Sequence, residues 1–199
     1  MIEFHDVEQR SDVWVSLRCG RVGGSEAIGL TTPARMETLL YKKAAELVTG
    51  NIKEVYVNEA MQWGIDHEPE AREAYDPFGD VQEVGYVTND RYIFGGLSPD
   101  GRVSETKYIE IKCPSSESHI KTIIKNEVPS EYKPQLSWYF IMIPSIEVVD
   151  YISYDPRVKS YPIHVISVKR DDLSDDIEKL VSNYQEFEKR LVEALKLFE

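Results

Sequence analysis

Hydrophobic positions along the chain follow two different periods, and the switch between them outlines its elements. After Thr32-Pro33, which puts Pro at a first helical position, Met36, Leu40, Ala44, Leu47 and Val48 recur at helical spacing until Gly50 supplies a stop. A second helix is expected over residues 58–75, with Gly64, Glu68, Ala71 and Tyr75 on one stripe and Pro69 kinking or restarting it. Ahead of these, residues 11–18 fit a short helix ended by Gly20. Arg21-Val22-Gly23-Gly24-Ser25 reads as a loop whose Gly pair permits unusual backbone angles before Ser25 caps the next turn.

The middle of the chain changes character. Residues 81–88, 92–94 and 108–113 are rich in β-branched and aromatic side chains, with turn signals at Asn89-Asp90 and Asp100-Gly101, so they are expected as neighbouring strands of one sheet. Helices over 116–125 and 130–142 follow, then strands over 147–154 and 163–168 on either side of Asp155-Pro156-Arg157. From Ser174, the positions Ile177, Leu180, Val181, Tyr184, Phe187, Leu191, Leu195 and Phe198 keep a 3.6 period through a long C-terminal helix. No repeat or low-complexity linker interrupts the pattern. It predicts one α/β domain over residues 1–199, with a mixed central β-sheet flanked by helices.

Composition narrows the function classes. The 199 residues are 42% hydrophobic, enough for a core, but 35 acids against 23 bases leave a net charge of -12. That balance argues against a generally basic nucleic-acid coat or a membrane-surface protein, so any polyanion must bind locally. Residues 171–199 carry nine acids and four bases, so the last helix alone holds -5, as a solvated face or as a surface that keeps a partner away from DNA. Cys19 and Cys113 are too few for a disulfide framework, and Met1-Ile2-Glu3-Phe4 does not begin a basic-then-apolar leader. The longest apolar run, from Trp138 to Ile143, is far short of the ~18 residues a spanning helix needs. The expectation is a reduced, cytoplasmic protein with no membrane association.

Candidate chemistry concentrates in Ser98-Pro99-Asp100-Gly101 and, after nine residues counted from Asp100, Glu110-Ile111-Lys112. On a strand, Glu110 and Lys112 share one face, while Ile109, Ile111 and Cys113 share the other and are free to pack on a helix. A hairpin-like return would set the Asp100 carboxylate opposite Glu110. Two converging carboxylates make a hard oxygen site suited to Mg²⁺ or Mn²⁺ rather than zinc, since His and Cys ligand spacings are missing. Lys112 would position or help deprotonate a water, and a second ion would steady the departing oxygen in phosphodiester hydrolysis. Taken alone, Glu-x-Lys is also a common surface pair and Pro-Asp-Gly an ordinary turn.

Pro99-Asp100 with Glu110-Ile111-Lys112 matches the PD-(D/E)xK nuclease pattern, and further segments extend the likeness in order. They are Trp14 to Gly20, Gly24-Ser25-Glu26, Trp63-Gly64 with Glu68 and Ala71-Arg72, Ser98 to Gly101, Glu110 to Pro114, Tyr132 with Gln135, and Tyr154 to Arg157. In these segments the chain resembles the lambda-type phage exonucleases, the YqaJ-like viral recombinase family. The resemblance implies a restriction-endonuclease-like core and a 5′-to-3′ exonuclease that digests one strand of duplex DNA, leaving 3′ single strand for a single-strand annealing protein. It further implies Mg²⁺, with Mn²⁺ able to substitute and two ions per site, ligated by Asp100, Glu110 and the Ile111 main-chain carbonyl. Lys112 would assist the attacking water, and Glu68 and Gln135 would complete the site from flanking helices. Arg18 and Ser25 fall where the family binds the 5′ phosphate of the DNA end. The chemistry agrees, because a guanidinium holds phosphate bidentately and a helix-opening Ser offers a hydroxyl and N–H groups. A ring-shaped homotrimer is implied as well.

Other residues have plainer readings. His67 lacks a partner His, and His5, His119 and His164 show no ligand spacing. Trp63 and Trp138 fit core positions better than base-stacking ones, and Cys113 fits a small buried hydrophobe. The family's strand-separating wedge has no motif here beyond the region around Met36 or the segment before Trp63. A dimeric PD-(D/E)xK endonuclease and a non-catalytic DNA-end-binding module are the alternatives, the second disfavoured by the complete acid, acid and lysine set.

Overall fold

The computed structural model describes residues 1–52, 57–75 and 80–198. In chain order these residues form β1 (Ile2–His5), α1 (Asp12–Arg18), a 3-10 helix (Gly24–Leu30), α2 (Pro33–Thr49), α3 (Glu59–Tyr75), β2 (Tyr86–Asn89), β3 (Gly101–Arg102) and β4 (Lys107–Lys112). There follow α4 (Ser116–Lys125), α5 (Lys133–Met142), β5 (Val148–Tyr154), β6 (Ile163–Lys169) and α6 (Ser174–Leu195).

Helix boundaries follow from local chemistry. Ser11 caps α1 by accepting the Trp14 N–H at 3.3 Å. Thr32 caps α2 with Pro33 just inside, and Gly50 ends it at a φ of +67°. Pro69 neither breaks nor restarts α3. The missing N–H is tolerated because Ala71 and Tyr75, beyond it, are fully buried against Ile109, Ile111, Ile152 and Tyr154, and this packing holds the last turns in register. In the loop after α1 the Gly23-Gly24 pair does not use the freedom that glycine permits. Gly20 takes the left-handed φ of +73°, whereas Gly23 sits at -82° and is itself the cap of the 3-10 helix. Ser25 therefore lies inside that helix and caps nothing.

The central sheet has the order β3-β4-β5-β6. Its β4 and β5 are parallel, with Lys107 opposite Val148 and Lys112 opposite Ser153, and the flanking pairs are antiparallel. Parallel neighbours need a long crossover, which α4 and α5 provide. One face, through Ile109, Ile111 and Ile152, packs on α3. The other, through Tyr108, Val149 and Tyr151, belongs to the larger core with α5. Residues Leu136 to Met142 of α5 are all buried, so the helix is enclosed on every side over this stretch, and Leu180, Tyr184, Phe187 and Leu191 of α6 close over the core. The mixed sheet, its flanking helices and the long C-terminal helix agree with the sequence pattern.

Residues 81–88 and 92–94 depart from it. From the first stretch, Gln82 keeps one isolated bridge to Arg102 of β3, while Tyr86 to Thr88 enter β2, which pairs antiparallel with β1 in a separate two-stranded sheet. That partner strand was invisible to periodicity because its four residues show no inside-outside alternation. Residues 92–94 form a turn, since Asn89 accepts the Tyr92 N–H through its carbonyl and the Arg91 N–H through its side chain, and Tyr92 accepts the Gly95 N–H.

Candidate active site

Asp100 and Glu110 are brought together by the β3–β4 hairpin. Gly101 faces Ile109 in the antiparallel register, so Asp100 stands one step further on, beside Glu110. Its Oδ2 accepts the Ile111 N–H at 2.7 Å. A strand residue directs its N–H and C=O to the same edge, so the Ile111 carbonyl faces the Asp100 side as well. Glu110 is 1% exposed and fully engaged. Its Oε1 accepts from Gln135 Nε2 at 2.6 Å and pairs with Lys112 Nζ at 2.5 Å, and its Oε2 lies 2.7 Å from the Tyr139 hydroxyl.

The charges are frustrated. Burial pushes the Asp100 carboxyl well above the usual carboxylate range, and Glu110 and Glu68 push it further, against the Lys112 ammonium and the Ile111 N–H. Burial alone would lower the Lys112 ammonium, but Glu110 and Asp100 outweigh it and hold it above its ordinary value. One lysine does not neutralise both the buried Glu110 and the half-buried Asp100 carboxylates. A hard divalent cation would, so the donor set of Asp100, Glu110 and the Ile111 carbonyl fits Mg²⁺ or Mn²⁺ in kind. Among the described residues no three His, Cys, Asp or Glu side chains converge on one point, so the main-chain carbonyl is needed to complete such a site.

Glu68 projects from α3 into the same cleft but is drawn toward arginines. It accepts from Arg72 Nη2 at 2.7 Å and lies 3.8 Å from Arg10 Nη2. Arg72 also donates through Nε to the Asp100 carbonyl at 3.0 Å, so it clamps α3 to the residue that carries the first carboxylate. Arg10 holds the left-handed φ of +73°, a conformation that costs a non-Gly residue energy and here aims a guanidinium into the cleft.

Arg18 and Ser25 border this cleft of about 730 Å³ together with Asp100, Glu110, Lys112 and Gln135. The Arg18 guanidinium lies over the Trp14 ring at 4.2 Å. Trp14 in turn donates to Ser98 Oγ at 2.7 Å, which ties α1 to the Asp100 loop. Arg18 has no ion-pair partner among the described residues, and Ser25 is exposed. All the site residues expected from sequence thus meet at one cleft. Tyr139, Arg72, Arg10 and Trp14 contact these residues and were not expected to. Three of them stand four residues from a predicted one on the same helix, and that spacing was the usable signal.

The plainer readings also find their places. His67 stacks on Trp63 at 3.6 Å with its Nδ1 2.9 Å from the Trp63 carbonyl, a structural role, and Trp138 is buried in the core. Trp63 is only half-buried, with the Arg157 guanidinium 4.0 Å over its ring. Cys113 packs against the α3 side but reaches the cleft rim, and burial, with Glu68 and Asp100 nearby, pushes its thiol up to about 12, which makes it a poor nucleophile. Met36 is a core residue and no wedge, whereas Met61, just before Trp63, is exposed and lines the cleft; residues 53–56 of that segment lie outside those described.

The chain is similar to known proteins over most of its length. Residues 13–142 match the YqaJ-like viral recombinase domain. The structure is similar to that of an alkaline exonuclease, LHK-Exo, from Laribacter hongkongensis, with 31% identity, a TM-score of 0.80 and coverage of 94% of this chain and 96% of that one. A second LHK-Exo structure, in complex with dAMP, matches at 30% identity and a TM-score of 0.80, covering 94% of this chain and 100% of that one. A phage-related exonuclease from Haemophilus somnus 129PT shares the fold at 15% identity and a TM-score of 0.59, covering 88% and 96% of the two chains. A search of curated proteins finds no match. With a matched domain spanning the cleft-forming segments from α1 to α5, the chain belongs to the YqaJ-like viral recombinase family.

Proposed function

We propose that the protein is a nuclease that degrades one strand of linear double-stranded DNA from its 5′ end, with Mg²⁺ as the cofactor and Mn²⁺ able to replace it. A nuclease role on DNA follows from the family. The polarity, the metal and the 5′-phosphate end are our reading, and one observation carries it: the acid, acid and lysine set opens into the same cleft as Arg18, which has no ion-pair partner among the described residues, and the exposed Ser25.

Asp100, Glu110 and the Ile111 carbonyl would hold the metal, with two ions per site. When bound, the cation supplies Lewis-acid polarisation of a phosphodiester oxygen and a water acidified toward neutral pH. The chain's own residues do the rest. Gln135 and Tyr139 fix the Glu110 carboxylate, so its geometry is set before substrate arrives. Lys112, held protonated beside it, orients the attacking water and supplies positive charge near the scissile phosphate. Arg18 and Ser25 would take the terminal 5′ phosphate, by a bidentate guanidinium contact and a hydroxyl with neighbouring N–H groups. Glu68, paired with Arg72 and Arg10, would complete the site from α3.

Residues 1–199 serve in this reading as one nuclease unit, working as a ring-shaped homotrimer and handing 3′ single strand to an annealing protein. Both assemblies rest on the family likeness. No helix among the described residues is long and apolar enough to cross a membrane.

Linear duplex with 5′-phosphate ends, linear duplex with 5′-hydroxyl ends and supercoiled circles, each with and without Mg²⁺, test the reading together. Loss of the phosphorylated linear duplex to mononucleotides, with circles spared, is the expected result. Nicked or linearised circles would replace it with an endonuclease, and binding without turnover with an end-binding module.

A further inference from the structure

A buried ion network lies behind the end-binding side of the cleft. Lys43 and Glu46, on one face of α2, have side chains only 3% and 4% exposed, and Glu26 of the 3-10 helix is 17% exposed. The Lys43 ammonium lies 2.9 Å from Glu26 Oε2 and 3.0 Å from Glu46 Oε2. Each of those same oxygens receives one main-chain N–H, Gly23 on Glu26 and Gly20 on Glu46, both at 3.0 Å. A single cation thus bridges the two carboxylates that pin the two ends of the turn from Gly20 to Gly23.

Stability alone does not account for such a device. Replacing a buried ion pair by well-packed apolar side chains is often neutral or stabilising, so the charges are better understood as fixing a conformation. The conformation fixed here is specific. Gly20 takes its left-handed φ of +73° under the Leu47 side chain, where an added Cβ would come within 2.3 Å, and no other residue fits there without displacement. At the other end of the turn, a Cβ on Gly23 would sit 3.7 Å from Arg18 Nη2, so the turn runs directly beneath the guanidinium. Ser25 follows two residues later. Burial would raise the Glu26 carboxyl, but Lys43, a hydrogen bond from Lys42 and the Gly23 N–H outweigh it, and the group stays charged.

We propose that Lys43 is a positioning residue for the DNA-end subsite, acting through Glu26 and Glu46 to set the spacing between Arg18 and the Gly23 to Ser25 main chain. This rests on reading Arg18 and Ser25 as the 5′-phosphate contacts. Lys43 touches neither substrate nor metal ligand. Its removal relaxes the turn, and a displacement of the order of 1 Å suffices to lose most of an oriented contact.

The test compares steady-state kinetics on linear duplex bearing 5′-phosphate or 5′-hydroxyl ends. In Lys43→Met the preference for phosphorylated ends is expected to fall by roughly tenfold, mainly through KM. Glu26→Gln keeps the side-chain shape and is expected to lose preference in the same sense, which covers the case in which Lys43→Met does not fold. The double variant Arg18→Ala with Lys43→Met should discriminate no worse than Arg18→Ala alone, because both act on one contact. Equal losses on the two end types, in step with the loss of folded protein, would overturn the proposal and leave Lys43 purely structural. If Arg18→Ala removes the preference and neither Lys43→Met nor Glu26→Gln changes it, the positioning role alone fails. If Arg18→Ala leaves the preference intact, the end-site reading fails and takes this inference with it.

Discussion

The Tyr139 hydroxyl lies 2.7 Å from Glu110 Oε2 and accepts the Asp100 N–H at 3.3 Å, so one buried phenol on α5 links the Glu110 carboxylate to the Asp100 main chain. Burial and the two acids push that phenol far above its ordinary range, so it remains a protonated donor. Tyr139→Phe removes the oxygen and leaves two buried polar groups unpaired. We expect a stability loss of about 1–3 kcal/mol in urea denaturation. We also expect weaker Mn²⁺ binding by calorimetry, and unchanged metal affinity would show that the phenol only packs.

Lys112→Ala should separate binding from chemistry. Its ammonium pairs with Glu110, while the DNA end would be held in the same cleft by different residues, Arg18 and Ser25. Cleavage of linear duplex is expected to fall by about 10²–10⁴-fold with duplex affinity nearly retained in fluorescence anisotropy. Retained cleavage would remove Lys112 from the mechanism.

Acid should loosen the loop that carries Arg157. Asp155 is fully buried, and although burial alone would raise it, the Arg157 guanidinium, the Ser116 side chain and the Arg157 N–H bring its carboxyl down to about 2. A carboxyl depressed in the folded state stabilises the fold above its unfolded pKa near 3.9 and loses that contribution as pH falls through the folded value. The urea midpoint of the wild type should therefore be steady above about pH 4 and decline toward pH 2. Asp155→Asn should start lower and show a shallower decline; a parallel decline would assign the acid limb to other carboxylates.

An acidic chain that binds DNA must segregate its charge. Lys121, Lys125 and Lys133 are exposed, have no ion-pair partner among the described residues, and line a groove of about 280 Å³ that shares Glu131 with the main cleft. If duplex phosphates follow this groove, replacing all three by Ala should flatten the dependence of log affinity on log salt by about 1–3 units. An unchanged slope would place the duplex on another surface.

Much of the site was legible because its logic is local. Alternation put Glu110 and Lys112 on one strand face, and the hairpin distance from Asp100 carried the first acid to them. The partners that escaped were Tyr139, Arg72 and Trp14, each four helical positions from Gln135, Glu68 and Arg18 respectively. Helical spacing makes such pairs neighbours, but only the neighbouring chain says whether the shared face looks into a cleft or a core. Tyr139 has both fates, since it is fully buried and still reaches Glu110.

The sheet was legible only in part, for a related reason. Residues 81–88 and 92–94 have strand-forming side chains, yet β2 is claimed by β1 and the Asn89 turn claims the rest. Strand pairing is a contact between distant segments, and composition does not name the partner. The sequence by itself determined the helices, the acid, acid and lysine set and the family, because these depend on periodicity, capping and ordered short motifs. Tertiary structure alone decided which strands pair, that Glu68 leans on Arg10 and Arg72, and that Lys43 joins Glu26 to Glu46 behind Arg18. Those depend on which side chains burial forces together, and burial is a property of the whole fold.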